Sequence, residues 1–461
     1  MKRGHFGNFA LLGLIFFALW PRPVSAYSLL THEQLIDLTW TDSIVPLLLS
    51  RYPNLTATQL DQARAYAYGG CVIQDMGYYP FGDASFSNLT HYVRSGDFVV
   101  NLFRNATNAN ELAFAIGALS HYIGDSVGHS EATNLAVPVE FPKLRAKYGD
   151  AVSYAEGKHQ HVQTEFAFDI NEIAHHRVAP LRFLRHIGLA VSMRQLALAF
   201  YQTYGITESF AGRRRINTRG YRFAVHTFIP RIAYAETLLH RSHEPPDPTS
   251  PEVIELEKEA AEMAQENHWQ IYRRKAGIGT YMLAGFFFIV PKVGPLTLAA
   301  VKGPTQQTEA EYAHSVAVST TALRQVLIRF TPEAARYKGP VPPLRSLAHP
   351  SDTSTRDPRH PLPNRDLDTG RVVQPGGYSL TDSTYAKLLH TIVQNPKQPI
   401  PPGIKEDIQT YYSNLDLPIT TKKDPERWKQ VLADLNTLAA IPTSTAPEPF
   451  PTYGSDQEAD E

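Results

Sequence analysis

The sequence predicts an all-α protein, and three observations predict it. From Leu29 to about His240, apolar residues recur at three- and four-residue spacing, with few strand-like alternations. Two His-x-x-x-carboxylate pairs, His121/Asp125 and His161/Glu165, suit side chains stacked one turn apart on a helix face, with Cβ atoms about 5–6 Å apart. Proline- and glycine-rich breaks then separate helical stretches at Arg241–Pro251 and Gly339–Gly377.

In chain order, residues 1–26 read as a secretory signal. Lys2 and Arg3 form the basic start, Phe9 to Trp20 the apolar core, and Val24-Ser25-Ala26 the small residues before cleavage. The apolar core is too short for a comfortable membrane span, which favours cleavage over anchoring. The mature chain is then expected to begin at Tyr27 and to be secreted or periplasmic. Residues 27–240 form the candidate catalytic domain. Within it, Leu112–Ile123 is an apolar helix leading into the first pair, Tyr154–Ile173 carries the second, and Glu131–Asp150 between them reads as a loop or short helices. Residues 241–338 form an expected helical extension, with a charged helix from Glu252 to about Lys275.

Ala276–Pro291 is apolar and uncharged, and includes Phe286-Phe287-Phe288-Ile289-Val290. It falls below spanning length, so a buried hairpin or core helix is the preferred reading and a membrane-contacting surface at Phe286–Val290 the second. Residues 339–377 read as a Pro-rich linker or an extended strap, 378–441 as a small helical module interrupted at Pro396–Pro402, and 442–461 as a disordered acidic tail.

Composition narrows the chemistry. The 461 residues carry a formal net charge of −1, and losing Lys2, Arg3 and Arg22 with the leader leaves 41 basic against 45 acidic side chains, net −4. No basic stripe offers phosphate neutralisation, so stable nucleic-acid binding is not expected. The single cysteine, Cys71, excludes an internal disulfide and multi-cysteine zinc chemistry. A metal site must therefore draw on His, Asp and Glu, and 18 histidines are available. Imidazole with carboxylate suits a divalent cation, zinc first.

One His-x-x-x-Asp is ordinarily a surface ion pair. Here His129 extends the first pair by a turn, while Asp75, His91 and His32 lie upstream. Asp169 extends the second pair and is a candidate to orient a ligand histidine. His159, His175 and His176 are expected to face solvent or stand behind the ligands, and Arg213-Arg214-Arg215 reads as a solvated turn before a phosphate site.

The ordered set His32, Asp75, His91, His121, Asp125, His129, His161 and Glu165 resembles the zinc-dependent phospholipase C family, whose helical fold is shared with single-strand-specific zinc nucleases. The resemblance runs over about Tyr27–His176. The interval of three residues between Asp125 and His129 is similar to that of the catalytic domain of glycosylphosphatidylinositol-specific phospholipase D. The resemblance implies a multi-helix bundle around a cluster of three zinc ions. Asp75, His91, His121 and Asp125 would hold the first, and His129, His161 and Glu165 the second. The third would take the backbone amine and carbonyl of Tyr27, His32 and a second oxygen of Asp125. It also implies hydrolysis of a phosphate ester by zinc-activated water, with Asp75 steering or accepting the water proton. Phospholipid cleaved on the glycerol side is the expected substrate. A nuclease or nucleotidase, phospholipase D-type cleavage and a zinc-stabilised cell-envelope binding protein are the rival readings.

Overall fold

A computed structural model describes residues 29–79, 82–207, 215–240, 250–273, 277–289, 303–336, 338–339, 357 and 359–444. The signal segment, Tyr27, Arg213, Arg214 and the acidic end of the tail lie outside the described residues, as do the side chains of Arg215 and of residues 286–290.

Among the described residues every regular element is a helix, with two isolated β-bridges, Arg365 to Val372 and Ile400 to Thr443, and no β-strand. Four helices position the site. They are α1 (Leu29–Thr39), α3 (Ala57–Gly70), α6 (Ala109–Gly128) and α9 (Tyr154–Ala174), with α2 (Val45–Arg51), α4 (Ala84–Tyr92) and α5 (Ser95–Arg104) between them. Start signals are local. The Asn108 side chain accepts from Glu111 N to cap α6, and reciprocal capping boxes at Thr56/Gln59 and Ser153/Glu156 open α3 and α9.

Helix α6 is buried on nearly every face, so α3 crosses it backbone to backbone. A Cβ on Gly70 would sit 2.1 Å from Phe114 O, and one on Gly117 would sit 2.2 Å from Ala67 O. Only glycine allows this approach, which sets the Cys71 carbonyl beside His121. After Gly128 the helix widens into one π-helical turn, His129–Thr133. Such turns re-aim side chains. Short helices α7 (Asn134–Glu140) and α8 (Pro142–Tyr148) fill the expected loop between the two pairs.

Beyond the site helices run α10 (Leu181–Ile187), α11 (Met193–Tyr204), α12 (Arg215–Phe223), α13 (Ile229–His240), α14 (Pro251–Glu266), α15 (Ile278–Ile289) and α16 (Gln306–Phe330). The charged helix stops at Glu266, short of Lys275. Asn267 ends it and His268 takes a left-handed φ of 51°. Within the apolar segment, Ile278–Ile289 forms α15. Ala284 on it is buried with Ile232 and Ala235 of α13, whereas Ile278, Tyr281 and Met282 are exposed. Among the described residues no helix is long and apolar enough to cross a membrane.

The last helices, α17 (Ser379–Val393), α18 (Pro402–Tyr411) and α19 (Pro425–Ala440), share one continuous core with α1 and α6, from Leu29 to Ile441. The described end of the Pro-rich stretch does not hang as a spacer. Leu362, Arg365, Asp366, Leu367 and Asp368 are buried. It is a strap laid across the site helices.

Candidate metal centre

His32 sits in the first turn of α1, and the start of that helix is held from another helix. Asp169 of α9 accepts from Leu30 N at 3.0 Å, Thr31 N at 3.1 Å and Thr31 Oγ1 at 3.0 Å. A carboxylate there satisfies exposed helix N–H groups and favours the helix dipole. Asp169 thus fixes the helix that carries a ligand histidine. Asp75 lies on a 3₁₀ turn, Ile73–Tyr78, after α3, and His91 ends α4. His121 and Asp125 occupy successive turns of α6, and His129 opens the π turn. His161 and Glu165 follow a kink at Gly157 in α9.

The fold brings all eight described site residues into one buried cluster, each at most 1% exposed. Asp125 is its hub. Its Oδ1 lies 3.2 Å from His32 Nε2, and its Oδ2 lies 3.1 Å from His121 Nε2 and 3.3 Å from His91 Nε2. Asp75 Oδ1 is 3.3 Å from His91 Nε2, and His161 Nδ1 is 3.5 Å from Glu165 Oε1. The His32 and His121 rings stack at 4.3 Å.

Three imidazoles have one nitrogen committed to a backbone carbonyl. His91 Nδ1 donates to Ser87 O at 2.7 Å, His121 Nδ1 to Cys71 O at 3.0 Å and His161 Nε2 to Val152 O at 2.8 Å. A carbonyl only accepts, so the proton of a neutral ring sits outward and the other nitrogen turns a lone pair into the cluster. His91 Nε2, His121 Nε2, both Asp125 oxygens and both His129 nitrogens have no hydrogen-bond partner. Two donors on one tetrahedral zinc at about 2.0–2.1 Å stand about 3.3 Å apart. The observed contacts fit that spacing better than direct hydrogen bonds, which centre near 2.9–3.0 Å. Three sets of donor atoms lie within 4.8 Å of one another: His32/His121/Asp125, Asp75/His91/His121 and His129/His161/Glu165.

The electrostatics point the same way. Burial pushes Glu165 well above the usual carboxylate range, and neighbouring Asp125, Asp75 and Asp368 push it further. Burial drives His129 well down against the pull of Asp125, with neighbouring His161, His91 and His121 adding to the fall, and burial outweighs the Val152 carbonyl to hold His161 near 4. Around Asp125 burial acts upward, but the facing His121, His32 and His91 overcome it and hold the carboxyl far down. On His91 burial acts downward, yet the facing Asp125 and Asp75 carboxylates win and lift it to about 10. A proton there occupies the place a cation would take.

The donor set is therefore oxygen and nitrogen only, buried, inward-facing and spaced for divalent metal. The family model described as zinc dependent phospholipase C matches residues 31–212. This segment belongs to the zinc-dependent phospholipase C family. No curated protein matches the chain, and no solved structure does. As a phospholipase C-like domain it is a zinc-dependent hydrolase, and its all-α architecture agrees.

The other sequence candidates stand apart. His159 and His176 are exposed, and His175 Nδ1 donates to Asn171 O at 3.1 Å, away from the cluster. What the sequence reading missed is Asp368, on the strap. It is fully buried, with Oδ1 3.6 Å from His129 Nε2. Its only local signal is the Asp366-Leu367-Asp368-Thr369-Gly370 turn inside a Pro-rich stretch.

Proposed function

We propose that the protein is a secreted phosphodiester hydrolase of phospholipase C type, acting on phospholipid and cleaving on the glycerol side to leave diacylglycerol. The observation that carries the reading is the set of imidazoles whose outer nitrogens are tied to carbonyls while their inner nitrogens face Asp125. In the proposed assignment Asp75, His91, His121 and Asp125 hold one ion, His129, His161 and Glu165 a second, and His32 with Asp125 and the Tyr27 backbone a third. Zinc bound there supplies an acidified water and neutralises charge on phosphoryl oxygens.

The chain's own residues do the rest. Asp125 faces three histidines at once and fixes the spacing between sites. Asp75 takes the proton of the attacking water. Ser87, Cys71 and Val152 carbonyls keep the imidazoles from rotating. Exposed Ile278, Tyr281 and Met282 support contact with a lipid surface. The test compares zinc-replete protein on phosphatidylcholine vesicles and on single-stranded DNA. Phosphocholine and diacylglycerol release is expected. DNA turnover without lipid turnover would overturn the substrate.

A further inference from the structure

The strap between the family segment and the last helices makes a tight turn whose tip enters the metal centre. Asp366 N donates to Arg371 O at 2.9 Å and Gly370 N to Asp366 O at 3.0 Å, while Thr369 N donates to Asp366 Oδ1 at 2.9 Å. Gly370 has φ +67°, and a Cβ there would lie 2.2 Å from Ser126 O of α6. The turn is anchored on both sides. Tyr122 donates to Pro363 O at 2.6 Å, Ser95 Oγ to Arg365 O at 2.6 Å, Leu367 N to His91 O at 3.1 Å and Asn134 Nδ2 to Asp368 O at 2.9 Å.

These anchors leave Asp368 with two unlike oxygens. Oδ2 accepts from Tyr92 at 2.9 Å and Tyr378 at 2.6 Å. Oδ1 is buried, has no hydrogen-bond partner and lies 3.6 Å from His129 Nε2, itself without one. A bare carboxylate oxygen in a buried site is costly unless a cation or donor meets it. The separation is close to the edge between two ligands of one zinc, about 3.3 Å.

We propose that Asp368 Oδ1 is a further oxygen donor to the ion held at His129, so that the strap, outside the family-matched segment, completes this metal centre. The proposal rests on the zinc reading of His129, His161 and Glu165. Tyr92 and Tyr378 then act as positioning residues, holding Oδ2 so that Oδ1 faces the ion.

Zinc-edge anomalous diffraction from the full-length protein tests this directly. An Asp368 oxygen within about 2.2 Å of a zinc that also touches His129 is expected. A zinc on His129 with the Asp368 oxygens beyond about 3 Å overturns the proposal while leaving the hydrolase reading intact; zinc absent from His129 overturns both. In solution, Asp368→Asn should weaken zinc at one site by roughly 10- to 100-fold in chelator competition, with the other sites unchanged and Asp368→Glu restoring part of the loss. Equal affinity at every site in Asp368→Asn counts against the proposal. If that variant does not fold, the diffraction result on the native chain decides.

Discussion

The two ends of the cluster are built differently. At the Asp125 end every described donor comes from the family segment, on α1, the turn after α3, α4 and α6, and one carboxylate faces three imidazoles. At the His129 end the donors come from a π turn and a kinked helix, and a side chain from more than 150 residues downstream of the family segment closes it. The first end is held by close helix crossing and backbone carbonyls. The second depends on a strap. Damage to the first should therefore reach the two sites that share Asp125, and damage to the second only one.

The largest expected effect follows from the hub. Asp125→Asn should lower phosphodiester hydrolysis by about 10³-fold or more, the loss of several kcal/mol of charge stabilisation, and should reduce bound zinc at more than one site. Rates on a soluble phosphodiester and zinc titration check it. Retention of full zinc content would break the comparison. Glu165→Gln, next in size, should weaken one zinc site by roughly 10- to 100-fold and leave the others loaded. A global loss of metal would mean the two ends are not separable.

A smaller effect is expected one step behind the ligands. Asp169→Ala removes three hydrogen bonds at the start of α1, and should cost about 1–3 kcal/mol in denaturant unfolding. It should loosen the His32 site first. The smallest effect lies outside both ends. Glu172 accepts from Gln34 at 2.9 Å and pairs with Arg177 at 2.8 Å. Burial outweighs the Arg177 charge and raises its carboxyl to about 7. A raised carboxyl binds its proton better folded than unfolded, so its contribution is full below about pH 4.5 and is lost as pH rises through 7. Relative to Glu172→Gln, the native chain should lose stability across that window, read by unfolding at fixed zinc. A constant difference across it would show the group to be ordinary.

The sequence carried much of the Asp125 end. His121 and Asp125 lie one turn apart on a single helix, and His129 follows one turn on. The crossing that joins them to Asp75 was not legible, because the role of Gly70 and Gly117 appears only when the helices they belong to are set side by side. Asp368 was hidden for the same reason. Prolines, aspartates and arginines in sequence read as a linker or an extended strap with no stated partner, whereas the burial comes from partners such as Tyr122, 241 residues away from Pro363. Short-range pattern reports helices well, and closure between distant segments only weakly.

The most direct measurement of the central claim is zinc content per chain, by elemental analysis of protein purified without chelator. About three zinc ions per chain are expected, falling in Asp125→Asn. A native protein that folds, binds no zinc and hydrolyses no phosphodiester would contradict the account.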